Sequence, residues 1–327
     1  MSYIIHMKPT FYHRTVNGPF EDPVVYLRLL REKRALLFDA GDIGRLSAGE
    51  IHKITDVFVT HTHIDHFTGF DRILRVILRR ERPLRVYGPE GITKCVEGKL
   101  RGYTWNLIEE YPVSLAVYEV SDSSVTVTEF SARNGFQRLD SGITANSETI
   151  LNEPLFSVKA ACLRHDIAVL GFCIEESVHI NIDKAVLMER GLPVGPWLSD
   201  FKAAIRKGGK GFSAVIEGRK YSMNELGDIV RITEGQKVSY VMDISPSAEN
   251  IERVTELVKG SHTLYIEAYF LDEDRDRAFQ RNHLTARMAG EIAILAGVRE
   301  VIPLHMSPKY KAFPEKIIEE VMSAFKG

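Results

Sequence analysis

Apolar residues of the chain fall into two kinds of segment that alternate along its length. Short runs rich in β-branched residues predict buried strands, whereas apolar positions three and four residues apart predict amphipathic helices. Runs of the first kind lie at residues 24–30, 35–39, 54–60, 84–89, 125–130, 155–173, 237–243, 263–267 and 300–304. Helical spacing is found at residues 71–85, 92–100, 182–190, 198–206, 248–258, 283–296 and 314–325. The alternation predicts an α/β protein.

Two segments interrupt this alternation. In residues 176–211, two helical stretches are separated by a Gly/Pro cluster and followed by a basic, glycine-rich piece, which predicts a helical arm inserted into a single domain of residues 1–327. Residues 131–152 are rich in Gly, Ser and Asn and predict a long surface loop.

Composition limits the class of protein. The 327 residues are 44% hydrophobic and 26% charged, with a formal net charge of −2, which is typical of a globular protein. No apolar run reaches the roughly 18 residues of a membrane span, and residues 1–9 lack the apolar stretch of a signal peptide. We therefore expect a cytoplasmic protein with no membrane partner. Three cysteines, Cys95, Cys162 and Cys173, have no zinc-finger spacing and fit reduced thiols.

The near-neutral net charge means that any nucleic-acid binding must depend on a local basic patch. The predicted helix at 71–85 carries such a patch, with six arginines around an apolar stripe. These arginines either contact solvent only or bind phosphates.

The turn after the run at 54–60 has the pattern H-x-H-x-D-H, formed by His61, His63, Asp65 and His66. Clustered imidazoles and carboxylates must find partners or face water, and a metal ion is such a partner. Two of these side chains can converge on one ion and the others on a second ion nearby, as in a two-metal hydrolytic site. The alternative is a solvated polar turn.

Several other strands also end in a histidine or an acid. Asp243, Glu267 and His305 each follow a predicted strand, and His165 lies at the end of another. Functional residues of α/β proteins gather at strand ends, so these side chains belong to the candidate site. Asp39, also at a strand end, either supports a neighbouring metal ligand or only forms a turn.

With these residues in place, the chain resembles metallo-β-lactamase-fold hydrolases and, among them, ribonuclease Z, the endonuclease that removes 3′ trailers from precursor tRNA. Three stretches carry the narrower resemblance: GLPVGP at 191–196, HLTA at 283–286 and HMSPKY at 305–310. The resemblance implies an αβ/βα four-layer sandwich with an inserted helical arm. It also implies a homodimer that binds precursor tRNA through the arm and basic residues.

The resemblance further implies the ligands of two Zn²⁺ ions, although the same side chains accept Mn²⁺ or Fe²⁺. One zinc would be held by His61, His63 and His165, the other by Asp65, His66 and His305, with Asp243 bridging. Such a pair would lower the pKa of a bridging water and give hydroxide as the nucleophile.

Three further residues have expected roles in catalysis or substrate binding. Asp65 would orient the hydroxide. His283, paired with Glu267, would protonate the departing 3′ oxygen, although Glu267 could be an ordinary salt-bridge partner. Trp197 and residues 206–210 would contact tRNA, or Trp197 would anchor the arm.

The chain departs from the ribonuclease Z pattern near the substrate. A glycine-rich first loop with an Arg-Asn pair is not evident, Ile266 replaces a histidine, and Lys309 replaces an arginine. Two rival interpretations therefore stay open. One is a dinuclear hydrolase of a small phosphodiester or another ester, with the arm used for dimerisation. The other is a metal-stabilised RNA-binding protein without turnover.

Overall fold

The computed structural model describes residues 10–30, 32–108, 110–209 and 211–327. The signal-peptide expectation for residues 1–9, and Lys210 of the expected tRNA-contacting segment, lie outside the described residues. Within the described ranges, no helix is long and apolar enough to cross a membrane.

Strands take up more of the described residues than α-helices do. In the part of the chain that the structure describes they are β1 (Phe11–Thr15), β2 (Val25–Leu29), β3 (Arg34–Phe38), β4 (Ile54–Phe58), β5 (Leu84–Pro89), β6 (Ser114–Val120), β7 (Ser124–Ser131), β8 (Leu139–Ala145), β9 (Thr149–Asn152), β10 (Phe156–His165), β11 (Ile167–Glu176), β12 (His179–Ile182), β13 (Ser213–Ile216), β14 (Arg219–Ser222), β15 (Val230–Thr233), β16 (Lys237–Val241), β17 (Thr263–Glu267) and β18 (Glu300–Leu304).

Ten α-helices connect these strands within the described ranges. They are α1 (Ala48–Lys53), α2 (Ile64–Phe67), α3 (Phe70–Ile77), α4 (Ile92–Arg101), α5 (Lys184–Glu189), α6 (Trp197–Arg206), α7 (Ala248–Val258), α8 (Arg275–Arg281), α9 (Ala286–Leu295) and α10 (Pro314–Lys326).

The strands build two large sheets. The first has the order β1-β2-β3-β4-β5-β6-β7-β8, and the second has the order β18-β17-β16-β11-β10-β9. Parallel pairs occupy the centre of the first sheet, from β3 to β6, and one side of the second, from β16 to β18. The carboxyl ends of these parallel strands are where α/β proteins place functional side chains.

The two sheets pack face to face through an aromatic core. Phe58 lies 5.2 Å from Phe38 and 5.5 Å from Phe172 between ring centroids, and Phe38 lies 5.7 Å from Tyr240. All four rings are buried, and complete burial of one large apolar side chain contributes about 1.5–3 kcal/mol. Phe38 and Phe58 come from the first sheet, and Phe172 and Tyr240 from the second, so these rings join the sheets.

Helices cover the outer face of each sheet. Ile51, Ile73 and Val96 of α1, α3 and α4 belong to the cluster on the first sheet, while Val254 and Ile292 of α7 and α9 belong to the cluster on the second. The layers therefore run helix, sheet, sheet, helix, and the predicted αβ/βα sandwich is confirmed.

The basic helix expected at 71–85 is shorter than predicted. Helix α3 ends at Ile77, Pro83 disfavours helix at the residue before it, and Leu84 begins β5. Arg80 points inward and donates to the carbonyl of Ile54 at 2.5 Å, and Arg85 donates to Asp56 at 2.5 Å. These two arginines are held by the body of the protein, so neither alternative given for this face, solvent contact alone or phosphate binding, describes them.

The expectation of a long surface loop at 131–152 is also wrong, because this segment contains strands β8 and β9. Every side chain of β8 is exposed. A strand with no buried face has no hydrophobic alternation, so its sequence cannot be distinguished from that of a polar loop.

Residues 179–233 pack around a small core of their own. Leu187, Phe201 and Ile216 are buried there together with Leu226 and Ile229. Strands β12 and β15 pair antiparallel and close the segment, with Ile182 opposite Val230. The packed segment thus continues past residue 211, the expected end of the arm, and the division of the chain into a domain and an inserted arm stays a prediction.

A buried polar cluster fixes the base of this segment to the first strand. Glu176 Oε1 accepts from Thr10 Oγ1 at 2.6 Å and from His179 Nδ1 at 3.1 Å. Gln236 Oε1 accepts from the backbone nitrogens of Thr10 and Phe11 at 2.6 and 2.7 Å. Because buried polar atoms are costly without partners, this network holds the segment at one position on the sheets.

Candidate metal centre

The H-x-H-x-D-H turn follows β4 and is built by close backbone packing. Its short helix α2 begins after His63, which has extended backbone angles. The backbone nitrogen of Ala40 donates to the carbonyl of His66 at 2.8 Å, and that of Gly69 donates to the carbonyl of Ala40 at 2.7 Å. A Cβ atom at Gly41 would lie 2.0 Å from the carbonyl oxygen of Asp65, so only glycine fits there.

Asp39 orients the turn from the end of β3. Its Oδ2 accepts from His66 Nδ1 at 2.8 Å and from the hydroxyl of Tyr240 at 2.9 Å, while Oδ1 accepts from the backbone nitrogen of Thr60 at 2.7 Å. The residue also turns the chain, with a left-handed φ of 54°. Asp39 therefore forms a turn and also contacts His66, whose role as a metal ligand stays a prediction. With Nδ1–H donating to Asp39, Nε2 is the ring nitrogen of His66 that faces the centre.

Asp243 lies in the middle of the predicted ligands. Its Oδ2 is 3.4 Å from His61 Nε2 and 3.2 Å from His66 Nε2. Its Oδ1 is 2.6 Å from His305 Nδ1. His305 Nε2 is in turn 3.3 Å from Asp65 Oδ2. One carboxylate thus contacts rings from both sheets, which is the position expected for a bridging ligand.

The predicted ligands form overlapping groups whose ligand atoms all lie within 4.8 Å of one another. These groups are His61, His66 and Asp243; His63, His165 and Asp243; Asp65, His66 and His305; and Asp243, Glu267, His283 and His305. The structure therefore brings together all seven predicted ligands, along with the predicted proton donor His283 and its partner Glu267. Their assignment as ligands stays a prediction.

The ring nitrogens and carboxylate oxygens of this cluster are suited to bind a metal ion. Among the described residues, His61 Nε2, His66 Nε2, Asp243 Oδ1 and His305 Nδ1 are buried and make no hydrogen bond of good geometry, although Asp243 lies 2.6–3.4 Å from all three rings. Leaving a buried polar atom unpaired costs about 1–3 kcal/mol, and more for a charged group. A divalent cation would satisfy all four atoms with imidazole and carboxylate ligands, which are the types that zinc prefers.

Burial and the close approach of these ionisable side chains shift several of their pKa values. Burial, followed by the charge of His66, lowers the pKa of His61 to about 2 and keeps its ring neutral. Burial opposes protonation of His66, but Asp39 and Asp243 outweigh it and raise the pKa of His66 to about 10. Burial would raise the pKa of Asp65, yet His305 and His66 lower it to about 2. A cation bound here would displace a proton from His66.

A second group of contacts lies beside the cluster. His283 Nδ1 donates to Glu267 Oε2 at 2.9 Å, and the other oxygen of this buried carboxylate accepts from the backbone nitrogen of Ile244 at 2.6 Å. His165 Nδ1 donates to the carbonyl of Asn282 at 2.7 Å, which leaves its Nε2 free for a metal. Glu267 thus accepts a hydrogen bond from His283, and it also holds the backbone at Ile244, next to Asp243.

Three residues of the centre escaped the sequence analysis. Tyr240, Tyr269 and Asn282 were not among the candidate residues. For Asn282 a signal existed, because Asn is among the few residues that readily adopt a left-handed conformation, and its φ is 57°.

Trp197 lies in the arm segment, where it is half-buried. Its Nε1 donates to the carbonyl of Pro193 at 2.9 Å, and its ring lies 6.3 Å from that of Phe201. These contacts favour the interpretation that Trp197 anchors the arm.

Comparison with known proteins was made by family, sequence and structure. No family model matches the chain. Ribonuclease Z of Deinococcus radiodurans is 29% identical over 281 residues, which cover 84% of this chain and 83% of the relative. The crystal structure of the short form of human tRNase Z has a TM-score of 0.52 at 20% identity and covers 92% of this chain and 93% of its own. The metallo-beta-lactamase fold protein YhfI from Bacillus subtilis has a TM-score of 0.57 at 12% identity, with coverages of 97% and 94%.

Proposed function

We propose that this chain, a metallo-β-lactamase-fold hydrolase similar to ribonuclease Z proteins over most of its length, is an endoribonuclease that removes 3′ trailers from precursor tRNA. One observation carries the proposal. Buried ring nitrogens of His61, His66 and His305 surround the Asp243 carboxylate without hydrogen bonds of good geometry, as metal ligands would. The RNA substrate is supported by similarity to relatives named Ribonuclease Z across 84% of the chain.

The side chains fit two divalent cations, which we propose to be zinc. His61, His63 and His165 would hold one ion, Asp65, His66 and His305 the other, and Asp243 would contact both. When bound, such ions activate water as a nucleophile and offset negative charge on the phosphate.

The protein's own groups supply orientation and a proton. Asp65, held 3.3 Å from His305 Nε2, would orient the attacking oxygen. His283 donates its Nδ1–H to Glu267, so Nε2 is the nitrogen that can give a proton. As the bond between phosphorus and the 3′ oxygen breaks, the electron pair goes to that oxygen, and the proton moves to it from His283 Nε2.

Recognition of the folded RNA would fall to the segment around the expected arm, residues 176–211. Gly195 and Pro196 belong to the stretch that resembles the tRNA-binding arm of ribonuclease Z, and α6 ends in the basic residues Arg206 and Lys207. The proposal includes a homodimer that acts in the cytoplasm.

Cleavage of a precursor tRNA tests the proposal directly. An end-labelled precursor with a 3′ trailer is incubated with the zinc-loaded protein, with and without a chelator, and the cut is mapped. We expect one chelator-sensitive cut near the discriminator nucleotide. An uncut precursor, together with chelator-sensitive hydrolysis of bis(p-nitrophenyl) phosphate, would move the function to a small phosphodiester.

Removal of residues 183–229, which include most of the expected arm, separates recognition of the RNA from the chemical step. The register places Ile182 opposite Val230, so an Asn-Gly turn can replace residues 183–229 and close β12 and β15 as a hairpin. We expect the variant to lose cleavage of precursor tRNA and to keep hydrolysis of bis(p-nitrophenyl) phosphate. Equal rates on precursor tRNA before and after the replacement would remove the arm from the proposal.

A further inference from the structure

The ring of His283 is constrained from two directions. Its Nδ1 is fixed at 2.9 Å from Glu267 Oε2. Its face lies on the ring of Tyr269, with centroids 4.0 Å apart and planes only 7° from parallel. The ring of Phe270 makes a T-shaped contact with the same ring, with centroids 6.2 Å apart. A single hydrogen bond leaves the imidazole free to pivot about one atom, whereas a parallel stack also fixes its plane.

Tyr269 is itself held in place. Its carbonyl accepts from the backbone nitrogen of Ser307 at 3.0 Å, which ties it to the chain just after His305. Its ring lies 4.9 Å from that of Phe270 and 5.3 Å from that of His305. A ring fixed by these neighbours can transmit its orientation to His283, whereas a mobile surface tyrosine could not.

We infer that Tyr269 is a positioning residue for proton transfer: its ring holds the plane of His283 so that Nε2 stays directed at the departing oxygen. The inference rests on the proposed function, because it concerns the step that His283 performs there. It concerns the aromatic ring and not the hydroxyl, since the stack involves only the ring face. The ring face that covers His283 is also closed to a nucleobase, so base stacking on that face is excluded.

The test compares two leaving groups. A 3′ oxygen of RNA needs a proton to depart, whereas p-nitrophenolate is a good leaving group that departs without one. Zinc-loaded Tyr269→Leu, Tyr269→Phe and His283→Ala are compared on precursor tRNA and on bis(p-nitrophenyl) phosphate. Zinc content and thermal unfolding are measured for each variant. Tyr103→Leu serves as the control, because Tyr103 is exposed and its ring makes a T-shaped contact with Trp105 instead of His283.

We expect His283→Ala to lower kcat on RNA by about 100- to 10,000-fold, the usual size of general-acid catalysis. Tyr269→Leu should lower kcat by about 10- to 100-fold with KM unchanged, because misplacing a catalytic group costs rate and not binding. Tyr269→Phe and Tyr103→Leu should match the wild type. All variants should keep their zinc and their rate on bis(p-nitrophenyl) phosphate. The double variant Tyr269→Leu/His283→Ala should be no slower than His283→Ala alone.

Other results would overturn the inference. A raised KM with unchanged kcat would make Tyr269 a substrate contact, and equal losses on both substrates or lost zinc would make it a structural residue. A double variant much slower than His283→Ala would show that Tyr269 does not act through His283. If wild type leaves precursor tRNA uncut, the proposed substrate fails separately, and the variants are compared on a short RNA oligonucleotide, whose leaving group is also a ribose oxygen. A protein that cuts neither RNA overturns both.

Discussion

The first sheet contributes its part of the candidate metal centre from one turn, whereas the second contributes from the ends of four strands. His61, His63, Asp65 and His66 follow β4 within six residues. His165, Asp243, Glu267 and His305 come from or follow β10, β16, β17 and β18. The first group is placed by local backbone geometry. The second depends on the pairing register, because shifting a strand by one residue would turn its side chains to the other face.

The two parts nevertheless share one backbone device. Asp39, Asp243 and His305 each follow a strand and have φ values of 54°, 49° and 52°. A left-handed conformation costs a residue with a Cβ about 1–2 kcal/mol. This conformation occurs at three strand ends, one in the first sheet and two in the second. In each case it directs the side chain into contact with the candidate metal centre.

Asp243 joins the two parts, so its loss should have the largest effect. Asp243→Asn keeps the side-chain shape and tolerates the left-handed backbone, but it removes the charge that faces His61, His66 and His305. We expect RNA cleavage to fall by about 1,000-fold or more and zinc content to drop, since a bridging carboxylate supplies several kcal/mol. Initial rates and zinc analysis measure both effects.

The control for Asp243 is Asp122→Asn. Asp122 is exposed and pairs with Arg253 at 2.8 Å, and a surface ion pair of this kind contributes at most about 1 kcal/mol. This variant should behave as wild type. If Asp243→Asn retained full activity and zinc, the two parts of the centre would not meet through Asp243.

A smaller effect should follow from Asp39→Asn, which acts mainly on the first part, although Asp39 also accepts from Tyr240 of the second sheet. Asp39 contacts the turn through His66 Nδ1 and the backbone of Thr60 and lies behind the predicted metal ligands. Loss of such a supporting carboxylate weakens metal affinity by about 10- to 100-fold. Competition with a chromophoric chelator measures the change.

The matched control lies in the same loop. The side chain of Asp42 is exposed and accepts from the backbone nitrogen of Gly44 at 2.7 Å, so Asp42→Asn should leave zinc affinity unchanged. Equal affinities for Asp39→Asn and wild type would mean that backbone packing alone orients His66.

The same contrast explains what could be predicted from the sequence. The turn after β4 was recognised because all its polar residues are adjacent. Many strands and outer helices followed from hydrophobic periodicity, and strands β17 and β18 have the predicted bounds, whereas the four-layer arrangement followed from the family resemblance. In the second sheet, Asp243, Glu267 and His305 were found because each follows an apolar run.

Other features depend on long-range contacts that no local pattern encodes. The inward turn of Arg80 and Arg85 requires Ile54 and Asp56 on a neighbouring strand. The stack of Tyr269 on His283 joins residues 14 positions apart around α8. Strand β8 is held by pairing with β7 alone and buries no side chain, so hydrophobicity cannot reveal it.

The smallest effect should arise at Asn282, where the second part depends on backbone alone. Its carbonyl accepts from His165 Nδ1 at 2.7 Å, and its φ of 57° positions that carbonyl directly before His283. Asn282→Gly adopts this conformation freely, so zinc affinity and cleavage should stay within about twofold of wild type. In Asn282→Val the left-handed conformation costs about 1–2 kcal/mol. This cost should lower the free energy of unfolding measured in urea and weaken the binding of zinc. If glycine proved as harmful as valine, the side chain of Asn282, and not its carbonyl, would be what supports His165.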